Sequence, residues 1–121
     1  MFNVSLIARE CSGCVVVALY GELDIADAAD VAAALAAEAA GRTRIVVDLA
    51  GLTFIDCSGV RALALARTRA RHEGCVLTLG APRREVLRVI VLTGLIDISD
   101  VCASIGDAID IADRARRIAA A

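Results

Sequence analysis

The sequence predicts a single α/β domain, residues 1–121, with a mostly parallel mixed sheet of four to five strands, an N-terminal hairpin and about four helices. Three observations carry this. Apolar runs of strand length alternate with longer helical patterns in the order β, β, α, β, α, β, α, β, α, which calls for parallel strands joined by crossover helices. The run that begins at Ile45 is too continuous for a half-exposed strand and suits one covered on both faces. The first two β-prone runs are separated only by a polar, Gly-containing stretch, so the chain opens with an antiparallel hairpin.

Val4 to Ala8 and Val15 to Tyr20 are those two strands, and Arg9 to Cys14 is the reversing turn. Gly21-Glu22-Leu23-Asp24 ends the second strand, and Asp24 stands three residues before Asp27, so one carboxylate can cap the next helix while the other favours its positive end. Ile25 to Ala40 is a helix stopped by Gly41. Arg44 to Leu49 is the third strand, Ala50 to Cys57 a connection, and about Ser58 to Glu73 the second helix. In that helix Leu63, Ala66 and Ala70 share a face while Arg61, Arg67, Arg69 and Arg71 reach for solvent. Gly74 ends it and Cys75 to Leu79 is the fourth strand. Pro82 suits a first helical position before Arg83 to Thr93, with Gly94 as terminator. A weak fifth strand lies within Ile96 to Cys102, and Ser104 to about Ala119 is a last helix with Asp107 early and Arg114, Arg116 and Arg117 late, matching the helix dipole.

Composition narrows the function. A chain of 121 residues buries about two-thirds of its unfolded surface, so it needs no covalent staples. With 59% hydrophobic residues but 2% aromatics, the core must be built from Ala, Val, Leu and Ile. A net charge of −2 and few aromatics argue against nucleic acid, which is held by dense cationic patches and stacking rings. Mean hydropathy is high at +0.72. Even so, no run approaches the ~20 apolar residues of a spanning helix, because Glu38 and Arg88 interrupt the longest candidates. The start, MFNVSLIARE, lacks the basic and apolar regions of a secretory signal, so a cytoplasmic protein is expected. The five cysteines, Cys11, Cys14, Cys57, Cys75 and Cys102, are an odd set better suited to reduced thiols than to a disulfide framework.

The stretch IVVDLAGLTFIDCSGVRALAL, Ile45 to Leu65, places Asp56-Cys57-Ser58-Gly59 where an extended strand turns into a helix. Free N–H groups at such a helix start favour an anion, and a phosphoryl group there would add about −1.5 to −2 charge to a docking surface. The pattern DLAGLTFIDCSG at Asp48 to Gly59, with GELD upstream and LTGL at Leu92 to Leu95 downstream, resembles the STAS domain of anti-sigma-factor antagonists. The resemblance covers nearly the whole chain, and its most specific part is Asp48 to Gly59. It implies a non-enzymatic switch component without cofactor or metal, which binds an anti-sigma factor that is a serine kinase and so frees a sigma factor. It further implies a partner surface at Asp24, Asp56, Cys57, Ser58 and Gly59. The family's phosphoacceptor is the Ser or Thr directly after the Asp, and here that position is Cys57, with the hydroxyl of Ser58 one place further on.

Three readings follow: phosphorylation of Ser58 in a shifted geometry, constitutive binding, or redox control at Cys57. The first two rank above the third, because Asp56 opposes the thiolate that a helix N-terminus favours. Beside them stand blander roles. Ser58 as an N-cap is about as expected as phosphoacceptance, Cys57 is expected to be a small packed residue, and Asp24 and Asp56 are natural turn and cap residues. The Cys11-Ser12-Gly13-Cys14 CxxC has neither a second such pair nor more than the one His72 to complete a zinc site, and it lies in a hairpin, unlike a thioredoxin-type motif. The alternative function is a STAS subunit of a larger assembly, such as a lipid-transport ABC complex. The sequence leaves the oligomeric state open, and a chain this apolar is compatible with a homodimer.

Overall fold

The computed structural model describes residues 3–11 and 13–120, with side chains beyond Ile111 described only at Arg114. The chain runs β1 (Val4–Cys11), β2 (Cys14–Leu23), α1 (Ile25–Ala39), β3 (Arg44–Ile55), α2 (Cys57–His72), β4 (Val76–Gly80), α3 (Arg84–Thr93), a 3₁₀ turn (Ile98–Asp100), β5 (Val101–Cys102) and α4 (Ile105–Ala120). The strands lie in sequence order, β1-β2-β3-β4-β5, with β1 antiparallel to β2 and every other pairing parallel.

Both faces of the central strands are covered, which is why β2 and β3 read as continuous apolar runs. Val15, Val17 and Leu19 of β2 and Ile45, Val47 and Leu49 of β3 face one core, shared with α1 (Val31, Leu35), α2 (Val60, Leu63, Ala66, Ala70) and α3 (Val86, Ile90). Val16 and Val46 face the other side, where Ile105, Ala108 and Ile109 of α4 close over them. The predicted shared face of the second helix, Leu63, Ala66 and Ala70, is buried. Among the described residues no aromatic is buried; Tyr20 and Phe54 are each about half exposed.

Several boundaries differ from expectation, each for a local reason. β3 does not stop at Leu49 but continues through the expected connection to Ile55, pairing with β2 as Tyr20↔Gly51, Gly21↔Leu52, Glu22↔Phe54 and Leu23↔Ile55, with two register irregularities on the way. Ala50-Gly51 reads as a turn, yet Gly51 is needed because the Tyr20 ring lies where its Cβ would be. Asp48 Oδ1 accepts the Ala50 N–H at 2.9 Å, which satisfies an amide at the irregularity. β1 and β2 likewise outrun their predicted ends, reaching Cys11 and Leu23. The fourth strand begins one residue late, at Val76, and ends at Gly80.

Pro82 is not the first helical residue, because the N-cap of α3 is Arg83, extended at φ −62 and ψ 156. The chain leaves β4 through Ala81 in the left-handed region, φ 56, whose N–H donates to the Cys102 carbonyl at 2.9 Å. That uses one residue more than the sequence pattern suggests. The fifth strand shrinks to Val101–Cys102, since Asp97 accepts from the Ser99 N–H at 2.9 Å and its hydroxyl at 2.8 Å and so winds the preceding residues into a 3₁₀ turn. These bonds hold the Asp97 carboxyl below the usual carboxylate range. Ser104 caps α4 by accepting the Asp107 N–H at 3.1 Å. Gly94, at φ 64, terminates α3 as expected. Ser12 and the side chains of Arg116 and Arg117 lie outside the described residues.

Candidate functional site

β2 and β3 end side by side, with Leu23 opposite Ile55, and on each strand the next residue caps a helix. Asp24 Oδ1 accepts the Ala26 N–H at the start of α1, and Asp56 Oδ1 accepts the Gly59 N–H at the start of α2, both at 2.9 Å. The two turns are tied together because the Asp56 N–H donates to the Leu23 carbonyl at 3.2 Å. Two helix N-termini, each carrying about half a positive charge, therefore meet at the carboxyl ends of neighbouring parallel strands.

Gly59 makes the arrangement possible. A Cβ there would stand 2.6 Å from Ile55 Cγ1, 2.8 Å from the Leu23 carbonyl oxygen and 2.9 Å from Leu23 Cγ. Only a residue without a side chain lets the first turn of α2 sit this close to the end of β2. Glycine's weak helix propensity is offset by the seat it allows.

Cap assignment corrects two expectations. α2 begins at Cys57, capped by Asp56, so Ser58 is not the N-cap but the second helical residue. Asp56 wins because its extended backbone, φ −110 and ψ −176, aims its carboxylate at the Gly59 amide. Cys57 is not packed but exposed, since the first residue of a capped helix at this edge points away from the sheet. Cys14, Cys75 and Cys102 are the buried thiols, and Cys11 is half-buried. Burial, with Glu73 nearby and Arg42 opposing, raises the Cys75 thiol; burial, with Asp107 and Asp100, raises Cys102.

Beside the turn, α1 and α2 leave an apolar groove of about 270 Å³ between Ile25, Ala28 and Ala29 on one side and Ser58, Arg61 and Leu65 on the other. Ile25 is 77% and Leu65 41% exposed, large apolar side chains left open next to two helix starts. Ile25, Arg61 and Leu65 were not individually legible as site residues in the sequence. For Ile25 and Leu65 the only signal was apolar residues at helical spacing, which does not tell an open groove from a core face, and Arg61 reads as an ordinary solvated cation. Asp27, by contrast, is buried and accepts the Asn3 N–H at 3.1 Å, so it ties the residue before β1 to α1 and is not exposed at the turn. Among the described residues no group of His, Cys, Asp or Glu is placed to hold a metal ion, and no helix is long and apolar enough to cross a membrane. His72 is exposed at the end of α2.

A five-stranded mixed sheet with helices on both faces and a strand-to-helix turn at its carboxyl edge is an α/β fold of the STAS type. The STAS domain family model matches residues 5–108, and the chain belongs to that family. Among solved structures it is similar to an anti-sigma factor antagonist from Mycobacterium paratuberculosis, with a TM-score of 0.80 and 24% identity over 91% of this chain and 94% of that one. It is similar as well to the unphosphorylated form of SpoIIAA, a Bacillus cell fate determinant, at TM-score 0.72 and 24% identity, over 93% and 96% of the two chains. Murine Slc26a9, an anion transporter, has a similar region: TM-score 0.72 and 20% identity over 93% of this chain but 22% of the transporter. At these identities the likeness speaks for the fold. No curated protein matches the sequence.

Proposed function

We propose that this chain is a non-enzymatic anti-sigma-factor antagonist that docks an anti-sigma factor of the serine-kinase type and thereby releases a sigma factor. The observation that carries the reading is the joined edge of Asp24, Asp56 and the α2 start beside the open apolar groove. It offers a partner apolar area for Ile25 and Leu65, and polar groups at Asp24, Asp56, Cys57 and Ser58 to fix its orientation. Family membership and the similarity to two anti-sigma factor antagonists support it.

The binding is proposed to run without the standard phosphorylation switch. The family's acceptor position is the exposed thiol of Cys57, and the neighbouring hydroxyl of Ser58 is half-buried on the groove wall. The test is to incubate the protein with candidate anti-sigma kinases, with and without ATP, measure affinity by calorimetry and map phosphosites by mass spectrometry. Expected are micromolar or tighter binding that ATP leaves unchanged, and a Cys57→Ser variant that becomes phosphorylated at residue 57 and then releases its partner. Phosphorylation of the unaltered chain, abolished by Ser58→Ala, would move the switch to Ser58. No binding at micromolar concentration by any candidate defeats the reading.

A second reading, a subunit of a membrane-transport assembly such as a lipid-transport ABC complex, is favoured by the similarity to a 22% segment of a transporter. Copurification with a transporter ATPase in place of an anti-sigma factor decides for it.

A further inference from the structure

We propose that Cys11 and Cys14 form a dithiol–disulfide couple, oxidised by a low-molecular-weight disulfide of the glutathione class. The inference is independent of the docking reading: β2 is 10 residues long, so its first residue lies ~30 Å from the Asp24 turn at about 3.3 Å per residue.

Cys11 closes β1 and Cys14 opens β2, and the register pairs them directly opposite one another. Opposed antiparallel residues have Cα atoms about 4.5–5.5 Å apart, within the ~4.4–6.8 Å that a disulfide spans. They also project from the same face of the sheet. The Cys14 thiol is already turned toward its neighbour, with Sγ donating to the Cys11 carbonyl at 3.0 Å. Gly13, at φ 77, supplies the left-handed residue that a turn this tight requires.

The two thiols differ in access, as a sequential exchange needs. Cys11 is half-buried, whereas Cys14 is 3% exposed among Val16, Val46, Cys102 and Ala108. The Cys11 sulfur, having lost its proton, attacks one sulfur of the small disulfide, forms a mixed disulfide and expels one small thiolate. Cys14, losing its proton in turn, attacks the Cys11 sulfur; the mixed bond breaks, the Cys11–Cys14 bond forms and the second small thiolate leaves. Two electrons pass from the protein sulfurs to the small disulfide, and the two protons end on the two released thiols. The same cluster seats α4 through Ile105, Ala108 and Ile109, so oxidation rearranges a thiol at that seat and removes the Cys14 donor bond.

The experiment equilibrates the full chain in glutathione buffers of rising disulfide content, traps thiols with an alkylating agent and digests with trypsin. Cys11 and Cys14 share one peptide, Glu10 to Arg42. Expected is the loss of two alkylatable thiols of the five, located in that peptide as a species two hydrogens lighter and restored by reductant. Cys14→Ser should instead keep a glutathione adduct on Cys11, because the resolving thiol is gone. The proposal is overturned if both cysteines stay alkylatable at every ratio, if the unaltered chain keeps the adduct on Cys11, or if Cys14 pairs with Cys102.

Discussion

Replacing Gly59 by alanine sets two effects of known sign against each other. In a helix interior the change should stabilise by about 1 kcal/mol, since alanine loses less backbone freedom. The site opposes it, because the new methyl would stand 2.6 Å from Ile55 Cγ1 and 2.8 Å from the Leu23 carbonyl oxygen. Ile55 is 2% exposed and Leu23 0%, so neither side chain has room to yield. The carbonyl is backbone and already accepts the Asp56 N–H at 3.2 Å. Overpacking of this kind costs ~1–3 kcal/mol, and pushing α2 away from β2 weakens that bond for about 1 kcal/mol more. The net expectation is destabilisation by about 1–3 kcal/mol, or a melting temperature lower by roughly 4–12 °C for a chain of this size.

Thermal and urea unfolding measure it, with Gly106→Ala as comparison. Gly106 also lies in a helix, α4, but its nearest added contact is Ser104 Oγ at 3.9 Å, so alanine there should stabilise by about 0.5–1 kcal/mol. If Gly59→Ala is as stable as the parent, or tracks Gly106→Ala, then α2 is not seated against the end of β2 and the geometry argued for the docking edge is wrong.

Asp56→Ala should cost about 1 kcal/mol in urea unfolding through loss of the bond to the Gly59 amide, while Asp56→Asn, which can still accept, should cost a few tenths. Ile25→Glu and Leu65→Glu alter exposed groove residues, so each should weaken partner binding by about tenfold or more in calorimetry while the melting temperature stays put. Alkaline stability should respond to the buried thiols. Cys75 and Cys102 have raised pKa values in the folded chain, so the folded state holds protons that the unfolded state releases above about 9. Their stabilising contribution is complete below pH 9 and is lost as pH climbs toward the folded values. Melting curves from pH 8 to 11 should fall less steeply for Cys75→Ala than for the parent, whatever its lower baseline.

The helices and central strands were legible because each burial face leaves its period in the sequence: Leu63, Ala66 and Ala70 along α2, and unbroken apolar residues from Ile45 to Leu49 in a strand covered twice. Boundaries were hidden where one residue type serves two geometries. Gly51 reads as a turn but lies under the Tyr20 ring inside β3. Pro82 reads as a helix start but precedes an extended Arg83 whose Nε donates to the Ala50 carbonyl at 2.9 Å. The turn itself was half legible. Asp56 and Ser58 are equally good capping types, and the choice between them rests on backbone angles that composition does not carry. The usual burial of cysteine gave the wrong expectation for Cys57, because that tendency averages over positions, and the first residue of this helix is exposed while Gly59 and Val60 behind it are buried.

The electrostatics of the two joined helix starts explain why α2, more than α1, is the side to watch. α1 carries Asp27 in its first turn, which neutralises part of its positive end, whereas α2 has no acidic residue in its first turn. Its capping carboxylate, Asp56, engages the Gly59 amide and so leaves the amides of Cys57 and Ser58 for an incoming acceptor. An anion, whether a partner carboxylate or a phosphate, gains more at α2 than at α1. Because Asp56 does the capping, the identity of residue 57 is released from any structural duty. Cys57→Ser at this exposed site should therefore change stability by no more than about 0.5 kcal/mol. A difference in ATP-dependent binding between the two forms then reports the chemistry of one atom, sulfur against oxygen, with the fold held constant.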